Sequence, residues 1–388
     1  MTDGLIYLDN AATSCPKPPA VLEQMLQRYR ELGVSPGRGS YDRALQAGDA
    51  VERAREQLAR FFGAPDPTRV VFAANATDAL NLAFHGLLRP GDHVVATQLE
   101  HNSVLRPLHT FRERGWIKYD LAPCDGHGFI DPDDIARRIQ PNTRLVVVSH
   151  ASNVLGTIQP ISVIGRICTE HGVPLILDTA QSAGTIPVDM VDWHLSAVAF
   201  TGHKALFGPT GIGGLVVHPD LDIQASRFGG TGIDSRNLMH TPTFPHRLEA
   251  GTLNLLGILG LSAGVEYVLE QGLESIHAHE MRLMQRLRDG LATLGHVEMY
   301  CAESLRDHVA VLTLNVNGIN PEDVGAILDA DFDIAVRVGL HCAPLTHQAV
   351  GTYNRGAVRF SPGYFNTTDD IDRAIEALAS FSARPHHT

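Results

Sequence analysis

Lys204 and Asp178 are the first residues whose positions suggest chemistry. Segment 196–200 has the composition of a buried strand, and it is followed by polar residues and a glycine that lead to Lys204. A second apolar segment, 175–177, runs directly into Asp178. Open α/β sheets bind their ligands at the carboxyl ends of strands. A lysine that forms a Schiff base and an acid that faces a pyridinium nitrogen are the groups that pyridoxal phosphate requires of its protein.

Each of these two residues also has an ordinary structural explanation. Lys204 could be a surface lysine that follows a strand, and Asp178 could cap the N-terminus of a helix. Their joint placement, each at the end of an apparent strand, favours a pyridoxal phosphate site over two unrelated surface positions.

A third strand end carries a candidate anion site at Ala76 and Thr77. The segment 75–78 lies between an apparent strand and a helical pattern that extends from Thr77 to Leu88. Backbone N–H groups at a helix start, together with a threonine hydroxyl, can bind a phosphate. An ordinary helix cap is the more common use of such residues. The glycine-rich signatures of dinucleotide and nucleoside triphosphate sites are absent from the sequence.

His101 and Asn153 also follow apparent strands. An imidazole at the position of His101 could stack on a flat cofactor ring or transfer protons. Most of the 20 histidines must be inert, so its place at a strand end is what singles out His101. Asn153 could donate a hydrogen bond to an oxygen of a cofactor or substrate.

Cys342 and Arg359 are the candidates in the C-terminal part of the chain. Cys342 follows His341 directly and lies five residues after Arg337, and positive neighbours favour the nucleophilic thiolate. A small buried hydrophobic residue is the equally plausible alternative for a free cysteine. Arg359 is a charge inside an apolar strand pattern, where it either pairs with an acid or binds a ligand carboxylate.

The elements that must position these residues follow an alternating pattern. From residue 69 to 218, short apolar runs alternate with amphipathic stretches, which predicts an α/β fold with a mostly parallel sheet covered by helices. After the stretch 229–245, rich in glycine, proline and threonine, the pattern changes. A long helix over 273–294, strands over 308–316 and 356–361, and helices from Pro321 and Thr368 predict a smaller α+β domain.

Composition limits the function further. The chain has 388 residues, of which 44% are hydrophobic, and this allows about two domains with substantial cores. The net charge of −12, without a basic run, makes nucleic acid and anionic membranes poor partners. Neither a signal peptide nor a membrane-spanning apolar run is visible. The five cysteines are scattered without a CxxC motif, which disfavours both a disulfide framework and a zinc site, so we expect a cytoplasmic protein.

Five short motifs give the chain a family resemblance, and they are Glu100–Asn102, Ser152–Thr157, Asp178–Gln181, Thr201–Lys204 and Gly339–Ala343. The chain resembles the class V, fold-type I enzymes that use pyridoxal phosphate, in particular the cysteine desulfurase and selenocysteine lyase group with a short cysteine loop. The likeness extends from Tyr7 to Thr367. It implies a mostly parallel seven-stranded sheet in a large domain over 21–260. An N-terminal segment over 1–20 and a small domain over 261–388, which carries Cys342 and Arg359, would complete the fold.

The resemblance also implies individual roles. Lys204 would bind pyridoxal phosphate covalently, His101 would stack on its ring and Asp178 would pair with the ring nitrogen. Gln181 would contact the ring hydroxyl, and Asn153 would contact the cofactor and, together with Arg359, the substrate carboxylate. The phosphate would be bound by Ala76, Thr77, Thr201, His203 and Thr252 of the partner subunit. Lys204, His101 and Cys342 would be the catalytic residues.

The activity implied is that of an L-cysteine desulfurase, which converts L-cysteine to L-alanine. Its sulfur would be captured as a persulfide on Cys342 and passed to an acceptor protein. The alternatives are a lyase that eliminates sulfur or selenium from selenocysteine, cystine or cysteine, and a sulfur-carrier scaffold without turnover. The expected partners are therefore L-cysteine or a sulfur or selenium analogue, a second copy in a homodimer, and a sulfur acceptor.

Overall fold

The computed structural model describes residues 4–37, 39–233, 235–302 and 304–383. The strands are β1 (Ile6–Tyr7), β2 (Val70–Ala73), β3 (Asp92–Thr97), β4 (Ile117–Ala122), β5 (Thr143–Ser149), β6 (Leu175–Asp178), β7 (Ala197–Thr201), β8 (Gly213–Val217), β9 (Val297–Tyr300), β10 (Leu312–Val316), β11 (Ile334–Ala335), β12 (Arg337–Gly339) and β13 (Ala357–Phe360). The α-helices are α1 (Pro19–Leu32), α2 (Asp42–Phe61), α3 (Ala76–Leu87), α4 (Asn102–Glu113), α5 (Pro132–Arg138), α6 (Ile161–Glu170), α7 (Leu255–Gln271), α8 (Leu273–Ala292), α9 (Pro321–Phe332), α10 (Pro344–Ala349) and α11 (Thr368–Ala379).

A seven-stranded sheet forms the centre of the larger part of the chain. Its strand order is β2-β8-β7-β6-β5-β3-β4, and only β8 runs antiparallel to its neighbours. Every residue of β2, β6, β7 and β8 is buried. Strands that are apolar on both faces require a covering layer on each side, and the helices provide it. The predicted α/β fold with a mostly parallel sheet is confirmed.

Two apolar cores lie against this sheet. One unites α2 and α7 with side chains of the central strands, among them Val146, Val148 and Phe200. The other packs α3 and α4 against the strand residues Val147 and Ala199. Because successive residues of a strand face opposite sides of a sheet, Val146 and Val147 belong to different cores. The sheet is therefore fixed from both sides.

The smaller sheet has four antiparallel strands in the order β12-β13-β10-β9. Helices α8, α9 and α11 contribute Leu287, Leu328 and Ile371 to a third apolar core behind it. Strand β13 places Arg359 opposite Thr313 of β10 and Arg337 of β12. The predicted α+β character of this part is present, with the strand expected over 308–316 found as Leu312–Val316.

The N-terminal segment belongs to neither large sheet. Strand β1 pairs in parallel with β11, and Asp9 forms a bridge with Ser361 next to β13. Helix α7 runs across residue 260, where the sequence places the end of the large domain. The three predicted domain ranges stay predictions.

Several elements lack the sequence signal on which the prediction rests. Strand β4 alternates buried and exposed side chains at the edge of the sheet, so it carries no continuous apolar run. Helices α1 and α2 precede the region of alternating strands and helices. They pack against α7, which is distant in the sequence, so no local pattern shows that they cover the sheet. Within the residues described, no helix has the length and apolar content that crossing a bilayer requires.

Candidate functional site

A cavity of about 290 Å³ lies at the carboxyl ends of the parallel strands, where the two parts of the chain meet. It is lined by Ala11, Ala12, Asn75, Ala76, Thr77, His101, Ser103, Ser149, Ala151, Asn153, Asp178, Ala180, Gln181, Thr201, His203, Lys204, Arg337, His341, Cys342 and Arg359. All the site residues predicted from the sequence, except Thr252, therefore lie around one cavity. The topology brings them together because parallel strands end at the same edge of a sheet.

Lys204 and Asp178 follow two neighbouring strands. Asp178 ends β6, and Lys204 lies three residues beyond β7. The Asp178 carboxylate is buried and accepts a hydrogen bond from the backbone N–H of Ala180 at 2.9 Å. Burial raises the pKa of Asp178, because an apolar environment disfavours the charged form. Burial, and then the charge of Arg359, lower the pKa of Lys204 to about 8.

His101 caps α4, and its ring is held in one orientation. The ring Nδ1 accepts a hydrogen bond from the backbone N–H of Ser103 at 3.0 Å, and the Ser103 hydroxyl lies 2.9 Å from the same atom. The Ser103 hydroxyl also lies 3.5 Å from Asp178 Oδ2. Burial, followed by the charge of Lys204, lowers the pKa of His101 to about 4. The ring is therefore neutral at physiological pH.

The other end of the cavity has the features of an anion site. Ala76 and Thr77 are the first two residues of α3, where backbone N–H groups have no acceptor within the helix. Thr201 Oγ1 and His203 Nδ1 are buried and have no hydrogen-bond partner among the described residues. Gly213 allows the close approach of α3 to β8, because a Cβ atom there would lie 2.8 Å from the Cα of Asn75.

Asn153 and Gln181 are both partly engaged by other parts of the chain. The Asn153 side chain is buried and donates to the backbone carbonyl of His341 at 2.6 Å. The Gln181 side chain donates to the carbonyl of Ala11 at 3.1 Å. Asn153 thus connects the loop after β5 to the loop that carries Cys342, and this contact was not foreseen from the sequence.

Arg359 projects from β13 into the cavity and is almost fully buried. Its guanidinium donates to Asp9 Oδ1 at 2.7 Å and to the carbonyl of Asn153 at 3.0 Å. The buried Nε has no hydrogen-bond partner among the described residues. Of the two predicted possibilities, the pairing with an acid is present, and the unsatisfied Nε leaves a donor for a ligand carboxylate.

Cys342 lies in an exposed position on the loop that follows β12. Its neighbour His341 is buried, and burial, followed by the charge of Arg359, lowers the pKa of His341 to about 2. The sequence suggested that His341 supplies positive charge to the thiol, and this suggestion is wrong because the ring is neutral. The cations that line the cavity with Cys342 are Arg337, Arg359 and Lys204.

Thr252 lies outside this cavity. It lines a separate groove together with Arg55 and Glu249, which form a buried ion pair with a 2.8 Å contact. The role predicted for Thr252 in the site of a partner subunit stays a prediction.

Two acidic residues of the site region were not assigned a role from the sequence. Glu100 is fully buried and accepts hydrogen bonds from the hydroxyls of Thr97 and Ser149, each at 2.7 Å, so it connects the ends of β3 and β5. Asp9 pairs with Arg359. The position of Glu100 next to His101 was an available signal, whereas nothing local in the sequence connects Asp9 to Arg359. Among the residues that the structure covers, no group of three or more His, Cys, Asp and Glu side chains could hold a metal ion.

The chain is similar over nearly its whole length to proteins of known type. It is 36% identical to a protein named probable cysteine desulfurase from Methanothermobacter thermautotrophicus, over 96% of this chain and 94% of that protein. The apo structure of a cysteine desulfurase from Thermococcus onnurineus NA1 superposes with a TM-score of 0.91 at 34% identity, covering 98% of this chain and 95% of that one.

A second solved structure has the same fold. The S-sulfonic acid form of the cysteine desulfurase CsdA from Escherichia coli gives a TM-score of 0.86 at 27% identity, and 97% of this chain and 94% of that chain are covered. The family model described as aminotransferase class-V matches residues 6–374. With this match and the site at the carboxyl ends of its strands, the chain belongs to the aminotransferase class-V family.

Proposed function

We propose that the protein is a cysteine desulfurase that uses pyridoxal phosphate to convert L-cysteine to L-alanine. The observation that carries the proposal is the single cavity that unites Lys204, Asp178 and an exposed Cys342. The names of the similar proteins support this activity over a selenocysteine or cystine lyase.

The chemistry of the cavity fits pyridoxal phosphate. Thr201 Oγ1 and His203 Nδ1 are buried and unpartnered within the part of the chain that the structure describes, and they lie in the same cavity as the start of α3, where a phosphate would be stabilised by the helix dipole. Burial raises the pKa of Asp178, because it disfavours the charged carboxylate. A protonated ring nitrogen beside it would supply the positive charge that stabilises this carboxylate.

We assign the following roles to the residues around the cofactor. Lys204 binds it covalently, Asp178 pairs with the ring nitrogen and His101 stacks on the ring face. Gln181 contacts the ring hydroxyl with the part of its side-chain amide that is not bonded to Ala11. The phosphate is bound by Ala76, Thr77, Thr201, His203 and Thr252 of the partner subunit.

The bound cofactor supplies an electron sink for the bonds at the substrate's α-carbon. The lowered pKa of Lys204 allows its amine to take and return a proton there near neutral pH. Arg359 and Asn153 orient the substrate by its carboxylate, and the unsatisfied Nε of Arg359 supports this role. His101, as a neutral ring, provides a flat contact without adding charge.

Cys342 performs the sulfur transfer. Its thiolate attacks the substrate sulfur, so that an S–S bond forms as the substrate C–S bond breaks. The bonding electron pair stays on the substrate carbon, which takes up a proton and leaves as alanine. The exposed position of Cys342 would then allow the outer sulfur of the persulfide to be passed to the thiol of an acceptor protein.

We further propose a homodimer in a reducing, cytoplasmic environment. Large apolar side chains are exposed in segment 228–239, at Phe228, Ile233, Leu238 and Met239. Concentrated apolar exposure of this kind is typical of a protein interface, and a two-fold dimer is the commonest closed assembly. All five cysteines are free thiols, as a reducing compartment requires.

The proposal is tested by replacing Cys342. In Cys342→Ala, release of sulfur from cysteine should fall to about background, because a covalent nucleophile contributes several orders of magnitude to its reaction. Binding of cysteine should persist, because Arg359 and Lys204 are unchanged. Mass spectrometry of the wild type after treatment with cysteine should show one added sulfur on the peptide that contains Cys342.

Cys301→Ala, on the edge strand region after β9, is the matched control and should leave the activity unchanged. Full desulfuration by Cys342→Ala, together with no added sulfur on the Cys342 peptide of the wild type, would contradict the role of Cys342 as nucleophile. It would favour a lyase that expels its leaving group without covalent capture.

A further inference from the structure

The loop that carries Cys342 has a strained backbone. Gly339, His341 and Cys342 have positive φ angles of 100°, 49° and 57°. Glycine adopts such angles readily, but each of the two other residues costs about 1–3 kcal/mol in this region. A conformation of this kind persists only where surrounding contacts stabilise it.

Two contacts from the larger part of the chain hold the backbone of this loop. The backbone N–H of Asn102 donates to the carbonyl of Cys342 at 2.7 Å. The side chain of Asn153 donates to the carbonyl of His341 at 2.6 Å. Both contacts fix carbonyl groups, and neither fixes the side chain of His341.

The His341 side chain is held by a chain of buried polar groups. His341 Nδ1 lies 3.1 Å from His347 Nε2, and His347 Nδ1 lies 2.7 Å from Thr352 Oγ1. His347 and Thr352 have no exposed surface, and His341 is 4% exposed. The two imidazole rings lie 5.2 Å apart, and their planes are inclined by 28°.

The carbonyl of Arg337, at the end of this series of hydrogen bonds, determines which group donates in each of them. His341 Nε2 lies 3.4 Å from the backbone carbonyl of Arg337, which can only accept, so the ring proton of His341 is on Nε2. Nδ1 of the neutral ring must then accept from Nε2–H of His347. Nδ1 of His347 must in turn accept from the hydroxyl of Thr352. The Thr352 hydroxyl is therefore the donor on which both ring orientations depend.

We infer that His347 and Thr352 are positioning residues for sulfur capture, which hold the strained Cys342 loop in place through His341. Neither residue lines the cavity, so their side chains act on it through the His341 ring. The inference rests on the proposed function for its activity readout, while the conformation of the loop can be tested without activity.

The test compares Thr352→Ser, which keeps the hydroxyl, with Thr352→Val, which keeps the shape but removes the donor. Thr352→Val leaves a buried histidine nitrogen unsatisfied. Its rate of persulfide formation on Cys342 should fall about tenfold, with KM for cysteine and cofactor loading nearly unchanged. Thr352→Ser should behave like the wild type, and His347→Ala should resemble Thr352→Val.

Hydrogen exchange provides the readout that does not need activity. The backbone N–H of Ala343 donates to the carbonyl of Leu340 at 2.9 Å and reports on the loop. It should exchange about tenfold faster in Thr352→Val than in Thr352→Ser, while amides of α3 exchange at wild-type rates in both. Equal exchange at Ala343 in the two variants would overturn the inference, as would equal rates of sulfur capture in the two variants when the wild type is active. A wild type without desulfurase activity would overturn the proposed function alone. The exchange comparison would still decide whether the hydrogen bonds from Thr352 through His347 to His341 hold the loop.

Discussion

At the scale of single residues, the properties of the site depend on burial more than on residue type. Burial is the largest cause of three pKa shifts, and each shift favours the neutral form. The pKa values of Lys204 and His101 are lowered, and that of Asp178 is raised. Arg359 also disfavours the charged forms of Lys204 and His101. Lys204 is still mostly protonated at pH 7, but its lowered pKa makes the free amine that reacts with the cofactor accessible near neutral pH.

The lowered pKa of Lys204 predicts a pH dependence of cofactor loading. Only the free amine reacts with an aldehyde, so the loading rate of cofactor-free protein should rise as the pH approaches about 8 and level off above it. A lysine with an ordinary pKa would show a rise that continues to about pH 10.4. The measurement is the rate at which the absorbance band of the lysine-bound cofactor appears after mixing, at a series of pH values.

Arg359→Gln and Lys204→Ala serve as controls for this measurement. Arg359→Gln removes a cation that disfavours the ammonium form, so the midpoint should move to higher pH. Lys204→Ala should show no covalent loading at any pH. A midpoint near 10 in the wild type would contradict the assigned environment of Lys204.

At the scale of elements, the site depends on how closely α3 approaches the sheet. Gly213 begins β8, next to the start of α3. A Cβ atom at this position would lie 2.6 Å from the carbonyl of Phe200 and 2.8 Å from the Cα of Asn75. Both neighbours are backbone atoms, so the strand or the helix start must move to make space.

Gly213→Ala should therefore displace the first turn of α3 and weaken the proposed phosphate site. We expect a loss of about 1–3 kcal/mol in the free energy of unfolding and weaker binding of the cofactor. The control is Gly295→Ala, since an added Cβ there meets no atom within 4 Å. Denaturant unfolding and cofactor titration measure the two effects. Wild-type values for Gly213→Ala in both would show that this close approach has no role.

At the scale of the whole molecule, one predicted site residue stands apart from the cavity. Thr252 lines a separate groove, and the exposed apolar side chains of segment 228–239 precede it in the chain. Thr252 can therefore complete a site only if a second copy brings it there. The proposed homodimer supplies that copy.

Mixed dimers test this arrangement. A protomer with Lys204→Ala and a protomer with Thr252→Ala should form heterodimers with one doubly defective site and one site that lacks neither residue. A statistical 1:1 mixture should thus contain intact sites at about a quarter of the wild-type number, and its activity should exceed the mean of the two parent variants accordingly. The measurement is alanine production after the subunits are mixed and exchanged. Full activity of a monomeric wild type at the assay concentration would exclude shared sites.

The sequence by itself determined the parallel sheet and the cluster of site residues at its edge. Apolar runs that end in Asp178 or lead to Lys204 are local signals, and strands of one parallel sheet must end on the same side. Helix starts such as that of α3, predicted at Thr77 and found at Ala76, are likewise encoded by neighbouring residues. The elements that escaped prediction, such as edge strand β4, lack a continuous apolar run because one face remains exposed.

Only the tertiary structure decided which of these residues are engaged, neutral or free. Asp9 and Arg359 form an ion pair across 350 positions of the chain, and Asn153 reaches the carbonyl of His341 across 188. No local pattern specifies such contacts, because they arise when separate elements pack together. The charge of His341 was predicted wrongly for the same reason, since its neutral state results from burial that neighbouring residues in the sequence do not reveal.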